Sequence, residues 1–387
     1  MRKHGQKIEE PISCHNNRLY RDEEGTPSTL PFIDNVEELS KFIYLDKRTK
    51  KAIEQVSKFY PFTIPKFYLN LIEKDNPSCP IRRQAIPSPH EIMESGEIDP
   101  LHEKEISFTP SFIKRYPGRG VFLVSSQCAM YCRFCNRRRF VGKGWEPKLF
   151  WEETLEYLEK DDEIKEVILS GGDPLMLLPE ELDYILSRLR AIRRIKTIRI
   201  STRIPVVYPE GLTSEHLKAI KRSAPLWFVI HINHPKEVSP EFVKTIRSLR
   251  KMGSIIISQT VLLRNVNDCP HILLNLFERL VHLGIKPYYL FQLDEVRGAM
   301  HFKVRLKKGI EIMKILRRNA SGLAIPQYVV DITGGFGKVP VDYPYIKGKE
   351  GDLVRIESPS GLTGTYQDNG KRSKCLKCGF CKSVISG

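Results

Sequence analysis

Three cysteines in the run Cys128-Ala129-Met130-Tyr131-Cys132-Arg133-Phe134-Cys135 follow the apolar segment Val121-Phe122-Leu123-Val124 at C-x3-C-x2-C spacing. Three thiolates so placed suit a 4Fe–4S cluster with one iron left without a protein ligand, whereas clusters that only carry electrons usually take four cysteines. An open iron can chelate the amino and carboxylate groups of S-adenosylmethionine and deliver an electron to its sulfonium, which generates a 5'-deoxyadenosyl radical. A structural zinc knuckle and reduced core thiols are the competing readings; tetrahedral zinc would call for a fourth cysteine or histidine.

The elements around this run alternate between short β-branched segments and amphipathic helices, the mark of βα units and a parallel sheet. Strands are predicted at 121–126, 166–170, 197–202, 226–232, 255–263 and 287–293. Helices are predicted around 151–159, 179–192, 214–222, 240–252, 270–283 and 306–318. Six such units fall short of the eight of a closed barrel. The cysteine run directly follows the first strand. Residues 1–110 are polar and proline-broken, with helical patterns at Val36–Ile43 and Lys51–Phe59, and read as a helical N-terminal region. The stretch 339–387 reads as short strands ending in a cysteine-rich tail.

A chain of 387 residues can bury a large core. No apolar run reaches the roughly 18 residues of a membrane span, and the N-terminus lacks the apolar core of a signal peptide, so a cytoplasmic protein is expected. Nine cysteines fall into two triplets (128, 132, 135 and 375, 378, 381) and three singles (14, 79, 269), which suits metal binding better than a disulfide framework. The excess of 62 Lys and Arg over 46 Asp and Glu gives a net charge of +16. These basic residues are dispersed and lack the interleaved aromatics of a base-stacking surface, so nucleic acid is not the expected partner.

The segment Cys128 to Gly142, with Arg82–Pro87, Asp99–Glu103, Arg115–Pro117, Ser170–Pro174, His234-Pro235, Val266–Pro270 and Asp331–Lys338, resembles the lysine 2,3-aminomutase family of radical S-adenosylmethionine enzymes. The resemblance runs in blocks from Asn76 to the C-terminus. It implies an α/β fold: a partial (β/α)6 barrel with a helical N-terminal layer and a small metal-binding C-terminal extension, divided as 1–110, 111–325 and 326–387. The implied activity is isomerisation of L-lysine to β-lysine through a 4Fe–4S cluster, S-adenosylmethionine and pyridoxal phosphate. An aminomutase acting on glutamate or arginine, and a radical enzyme modifying RNA, are the alternatives.

By the same resemblance, Cys128, Cys132 and Cys135 hold the cluster, and Ser170, Gly171, Gly172 and Asp173 meet S-adenosylmethionine. Lys338, behind the turn Gly334-Gly335-Phe336-Gly337, matches the lysine that attaches pyridoxal phosphate, and Arg115, Tyr116 and Arg119 match the cradle of its phosphate. Thr333 and Phe336 stand where the family is expected to carry proline and glycine. Arg137 corresponds to the arginine gripping the substrate α-carboxylate. Asp294 and Asp331 correspond to the pair holding its distal ammonium, a pair that would select a cation. Cys269, Cys375, Cys378 and Cys381 resemble a four-thiolate zinc site whose remote ligand comes from a neighbouring subunit, which implies a dimer or tetramer; a second iron–sulfur cluster is the rival for the tail cysteines. A flavodoxin- or ferredoxin-type electron donor completes the implied partners.

Overall fold

A computed structural model describes residues 31–92 and 95–370 and divides the chain into two compact units, one ending at Val341 and one beginning at Asp342.

The first unit opens with β1 (Phe32–Ile33), α1 (Val36–Phe42), α2 (Lys47–Ser57), β2 (Ile64–Pro65), α3 (Lys66–Leu69) and α4 (Pro80–Ala85). Asn35 and Asp46 cap α1 and α2 by accepting the N–H groups of Glu38 and Thr49, which satisfies donors the first turn leaves free. The Asp46 cap starts α2 four residues before the apolar periodicity that predicts it.

The sheet then runs through β3 (Ser107–Thr109), β4 (Phe112–Tyr116), β5 (Arg119–Ser125), β6 (Glu166–Gly171), β7 (Thr197–Thr202), β8 (Trp227–His231), β9 (Ile255–Leu262), β10 (Lys286–Gln292), β11 (Gln327–Ile332) and β12 (Gly337–Pro340). All ten strands lie in sequence order in one sheet. Helices α5 (Trp151–Lys160), α6 (Pro179–Ala191), α7 (Ile204–Val207), α8 (Ser214–Arg222), α9 (Pro240–Lys251), α10 (Pro270–His282) and α11 (Leu306–Asn319) fill the connections, giving the six predicted βα units in a partial barrel. Strand β11 extends the parallel set by one. It escaped the sequence reading because a hairpin, not a helix, follows it.

Alternation along the strands divides the faces. Phe122, Val124, Val167, Leu169, Ile198, Ile200, Phe228 and Ile230 join Leu155, Ile185, Leu249, Phe277 and Met313 of the helices in one buried core. Full burial of each such side chain contributes about 1.5–3 kcal/mol. The opposite face carries polar groups toward the carboxyl ends of the strands.

Side chains bring the two ends of this sheet together without ladder bonds. Arg115 of β4 pairs with Asp331 of β11 at 3.2 Å. The Lys338 backbone N–H of β12 donates to the Tyr116 hydroxyl at 2.8 Å, and Gly334 N–H donates to Pro100 O at 3.2 Å. The result is a seam joining residues more than two hundred positions apart in sequence.

The second unit contains β13 (Ile346–Glu350), β14 (Leu353–Glu357) and β15 (Thr363–Gln367) in a three-stranded antiparallel sheet. Cys14, Cys375, Cys378 and Cys381 lie outside the described residues.

Candidate active site

Cys128, Cys132 and Cys135 occupy the loop that leaves the carboxyl end of β5, and all three are half-buried free thiols. The loop is pinned through its own Arg133, which is 1% exposed and pairs with Glu91 at 2.6 Å while another guanidinium nitrogen donates to Pro61 O. Arg138 meets the same carboxylate at 2.5 Å. Burial pushes Glu91 up, but the two guanidiniums outweigh it and hold the carboxyl below its ordinary range. Burial and the neighbouring acids push the Cys128 thiol well up, and burial with Cys132 lifts Cys135 to about 11. Thiols that oppose one another's ionisation fit a polynuclear cation, since a coordinated thiol is deprotonated by its metal.

Among the described residues, no three His, Cys, Asp or Glu side chains converge as ligands of one metal ion. A 4Fe–4S cube places each thiolate on a different iron, which spreads its ligands more widely than a single ion would.

Strand β6 delivers Ser170, Gly171, Gly172 and Asp173 beside this loop. Gly171 has φ +113°, and a Cβ there would lie 2.3 Å from Ser125 O; one on Gly172 would lie 2.2 Å from Gln127 O. The glycines therefore permit β6 to press against the cysteine loop, where Asp173 N–H donates to Gln127 O at 2.8 Å. The buried Asp173 carboxylate accepts from the Thr202 hydroxyl and Arg203 N–H, each at 2.7 Å, and from Leu175 N–H at 3.1 Å. It joins the ends of β6 and β7.

Arg203 sends one guanidinium nitrogen to Cys132 Sγ at 2.7 Å and the other to Gln84 Oε1 and Glu237 Oε1, each also at 2.7 Å.

Arg137 bridges outward from the loop. Its Nη1 donates to Ser170 Oγ at 2.8 Å, and its Nη2 lies 2.7 Å from Glu103, which Arg139 also meets at 2.7 Å. Burial raises Glu103, yet Arg137 and Arg139 overcome it and hold the carboxyl down at about 2, so it stays ionised.

The next residue back, Asn136, donates its amide to Asp294 Oδ2 at 2.8 Å. Asp294 follows β10, and its carboxyl is pushed up to about 7 by burial first and by the charge of Asp331 second. Asp331 already faces two cations: Arg115 at 3.2 Å and Lys338 Nζ at 3.1 Å. Lys338 Nζ also stands 5.5 Å over the Phe291 ring. Gly337, at φ +103°, keeps this approach open, because a Cβ would sit 2.8 Å from the Tyr116 hydroxyl. Arg119 stacks over Tyr116 at 4.1 Å. Arg115 Nε is buried with no acceptor among the described residues, a donor suited to an anion such as a phosphate.

A chain of contacts thus runs from the cysteine loop through Arg137 to Ser170 and through Asn136 to Asp294, which faces Asp331, and from Asp331 to Arg115 and Lys338, whose backbone meets Tyr116. Cys269 is the N-cap residue of α10. Glu103, Asn136 and Arg203 were not singled out from sequence; Glu103 and Asn136 sit within or beside segments that carry the resemblance, whereas Arg203 had no local signal.

A partial βα barrel with a three-cysteine loop at the end of its first parallel strand and a glycine-rich end to the next defines the class of radical S-adenosylmethionine enzymes, and the Radical SAM superfamily profile matches residues 122–277. The L-lysine 2,3-aminomutase of Clostridium subterminale is 37% identical over 353 residues, covering 90% of this chain and 85% of its own. That of Fusobacterium nucleatum is 38% identical over 340 residues, 87% and 80% of the two chains. A glutamate 2,3-aminomutase of Clostridioides difficile is 34% identical over 339 residues, again 87% and 80%. The chain belongs to the lysine 2,3-aminomutase family. Radical S-adenosylmethionine enzymes use a 4Fe–4S cluster and S-adenosylmethionine. No helix of the described residues is long and apolar enough to cross a membrane.

Proposed function

We propose that this protein interconverts L-lysine and β-lysine by a radical 1,2-amino shift. One observation carries the choice of substrate: Asp294 and Asp331 converge between the cysteine loop, which touches Asp294 through Asn136, and Lys338. Two carboxylates in one buried pocket favour a distal ammonium and repel the distal carboxylate of glutamate.

When bound, the cluster and S-adenosylmethionine supply hydrogen-atom abstraction, and pyridoxal phosphate supplies the π-system across which nitrogen moves. Cys128, Cys132 and Cys135 would hold the iron, with the β6 backbone at Gly171 and Gly172 against the same loop. Lys338 would attach pyridoxal, and Arg115, Tyr116 and Arg119 would hold its phosphate. Arg137, held by the ionised Glu103 and by Ser170, would turn its remaining guanidinium N–H groups to the α-carboxylate. Asp294 supplies the negative charge least committed to protein cations, so it should take most of the distal ammonium. The chain's own contribution is positioning, which fixes the reacting carbons relative to both cofactors. Zinc on Cys269, Cys375, Cys378 and Cys381, an oligomeric assembly and a flavodoxin- or ferredoxin-type donor are part of this reading and rest on the family resemblance.

The test is a comparison of kcat/KM for lysine, arginine and glutamate on anaerobically reconstituted protein. Lysine should lead. Faster turnover of glutamate or of a neutral amino acid would sink the substrate assignment while leaving the radical chemistry standing.

A further inference from the structure

Among the described residues, Cys132 is distinguished from the other two loop cysteines by its donor. Cys135 accepts a backbone N–H from Arg137 at 3.3 Å, whereas Cys132 accepts a guanidinium N–H from Arg203 at 2.7 Å. That guanidinium has no freedom to swing away. Its second nitrogen is held by Gln84 and Glu237, each at 2.7 Å, and its backbone N–H is held by Asp173 at 2.7 Å. Glu237 is itself wholly buried and fixed, accepting from the Tyr68 hydroxyl and Asn233 N–H at 2.7 Å and from His234 N–H at 2.9 Å. The rings of Phe134 and Tyr68 lie 5.4 and 5.8 Å from the guanidinium carbon and exclude solvent from it. A guanidinium stays cationic even when buried, and the Glu237 carboxylate at 2.7 Å balances its charge.

An arginine buried this deeply, with its guanidinium on one carboxylate, one amide oxygen and a sulfur, is more than a packing element. We propose that Arg203 is a positioning residue that sets the reduction potential of the cluster by directing a fixed cationic N–H at the Cys132 sulfur. The inference rests on the reading of the three cysteines as cluster ligands. Reduction adds one electron, taken from an external low-potential donor, and spreads negative charge onto the ligating sulfurs. A fixed cation and a hydrogen bond at one of those sulfurs favour the reduced form, and hydrogen bonds to sulfur are among the means by which proteins tune such clusters. Glu237 works in the opposite sense by offsetting part of the Arg203 charge. The pair therefore sets the potential between two limits, in a region of low dielectric where each charge is felt strongly.

The experiment is a reductive titration with dithionite and mediators, followed by electron paramagnetic resonance, on reconstituted wild type, R203M, R203K and E237Q, with iron and labile sulfide measured on each. R203M should lower the equilibrium constant for reduction by about tenfold or more, which is about 59 mV for a one-electron couple. R203K should fall between R203M and wild type, and E237Q should shift the potential upward. Opposite signs for R203M and E237Q are something a merely structural role would not produce. Unchanged potentials in iron-replete R203M, or shifts of the same sign in R203M and E237Q, overturn the inference. If R203M fails to load iron, E237Q decides alone, and an unchanged or lowered potential overturns it. A wild type that takes up no 4Fe–4S cluster overturns the cysteine reading itself and this inference with it.

Discussion

Around the cysteine loop each buried or half-buried arginine lies on a buried carboxylate: Arg203 on Glu237, Arg133 and Arg138 on Glu91, Arg137 and Arg139 on Glu103. Between β10 and β12 the balance is different, because two carboxylates face one another and one of them is pushed up to about 7. The first region is assembled from the ends of neighbouring parallel strands, and its charges are paired before any ligand enters. The second is assembled across the seam of the sheet from residues far apart in sequence, and part of its negative charge is left for a cation to settle. Rigid compensation suits an inorganic group of fixed shape. Uncompensated charge suits recognition of a flexible cationic substrate.

The largest effects should separate the two regions. Cys132→Ala should abolish formation of 5'-deoxyadenosine with dithionite, since two thiolates are too few for the cluster. Lys338→Ala should keep that cleavage but lose borohydride fixation of pyridoxal and all amino-acid turnover. If Lys338→Ala also loses the cluster, the regions are not independent and the comparison fails.

Next in size is Asp294→Asn, which removes the charge facing the distal ammonium. Truncating one partner of a buried charge pair costs ~2–5 kcal/mol, so kcat/KM for lysine should fall roughly 30-fold or more. Pyridoxal attachment should survive. Asp331→Asn should do more harm, because it also frees Arg115 and Lys338 from their shared carboxylate. An Asp294→Asn enzyme with unchanged kcat/KM would remove that residue from the site.

Much of the barrel was legible because strand periodicity and βα alternation are local, and the six predicted strands appear within a few residues of their expected places. The cysteine triplet was legible for the same reason. The seam was legible only through the resemblance, which assigned Tyr116 and Lys338 to one cofactor: nothing local near Tyr116 announces Gly337, and β11 ends in a hairpin where a helix was the pattern. Arg203 was equally silent, since its partners Gln84, Cys132 and Glu237 come from three separate segments. Asp173 shows the converse. Its motif was read as a cofactor contact, while its carboxylate is engaged with Thr202, Arg203 and Leu175.

A smaller effect sharpens the electrostatic half of the comparison. The folded chain keeps a proton on Asp294 up to about pH 7, whereas the unfolded chain releases it near the ordinary aspartate value of about 3.9. This site therefore costs increasing stability between those values and a constant amount above them. Asp294→Asn should melt higher than wild type at about pH 8, with the gap closing as pH falls through 7 toward 4. In the same interval KM for lysine should fall as pH rises in the wild type and stay flat in the variant. A gap that widens on acidification would contradict the assignment.

The smallest effect concerns the tail. Metal analysis should find about one zinc per chain besides the iron, as a four-thiolate structural site requires, and Cys269→Ser should release it while leaving the first cluster's spectrum intact. Iron near twice the amount of one cluster would favour a second iron–sulfur centre.

The most direct test of the central claim, that the two regions act on one substrate, is isotopic. Reconstituted wild type would be given lysine carrying deuterium on its β-carbon, and deuterium would be located by mass spectrometry and NMR. Hydrogen abstraction and return predict label in 5'-deoxyadenosine during turnover and at the carbon of β-lysine vacated by nitrogen. A product whose new hydrogen comes from solvent, with no label in 5'-deoxyadenosine, would contradict it.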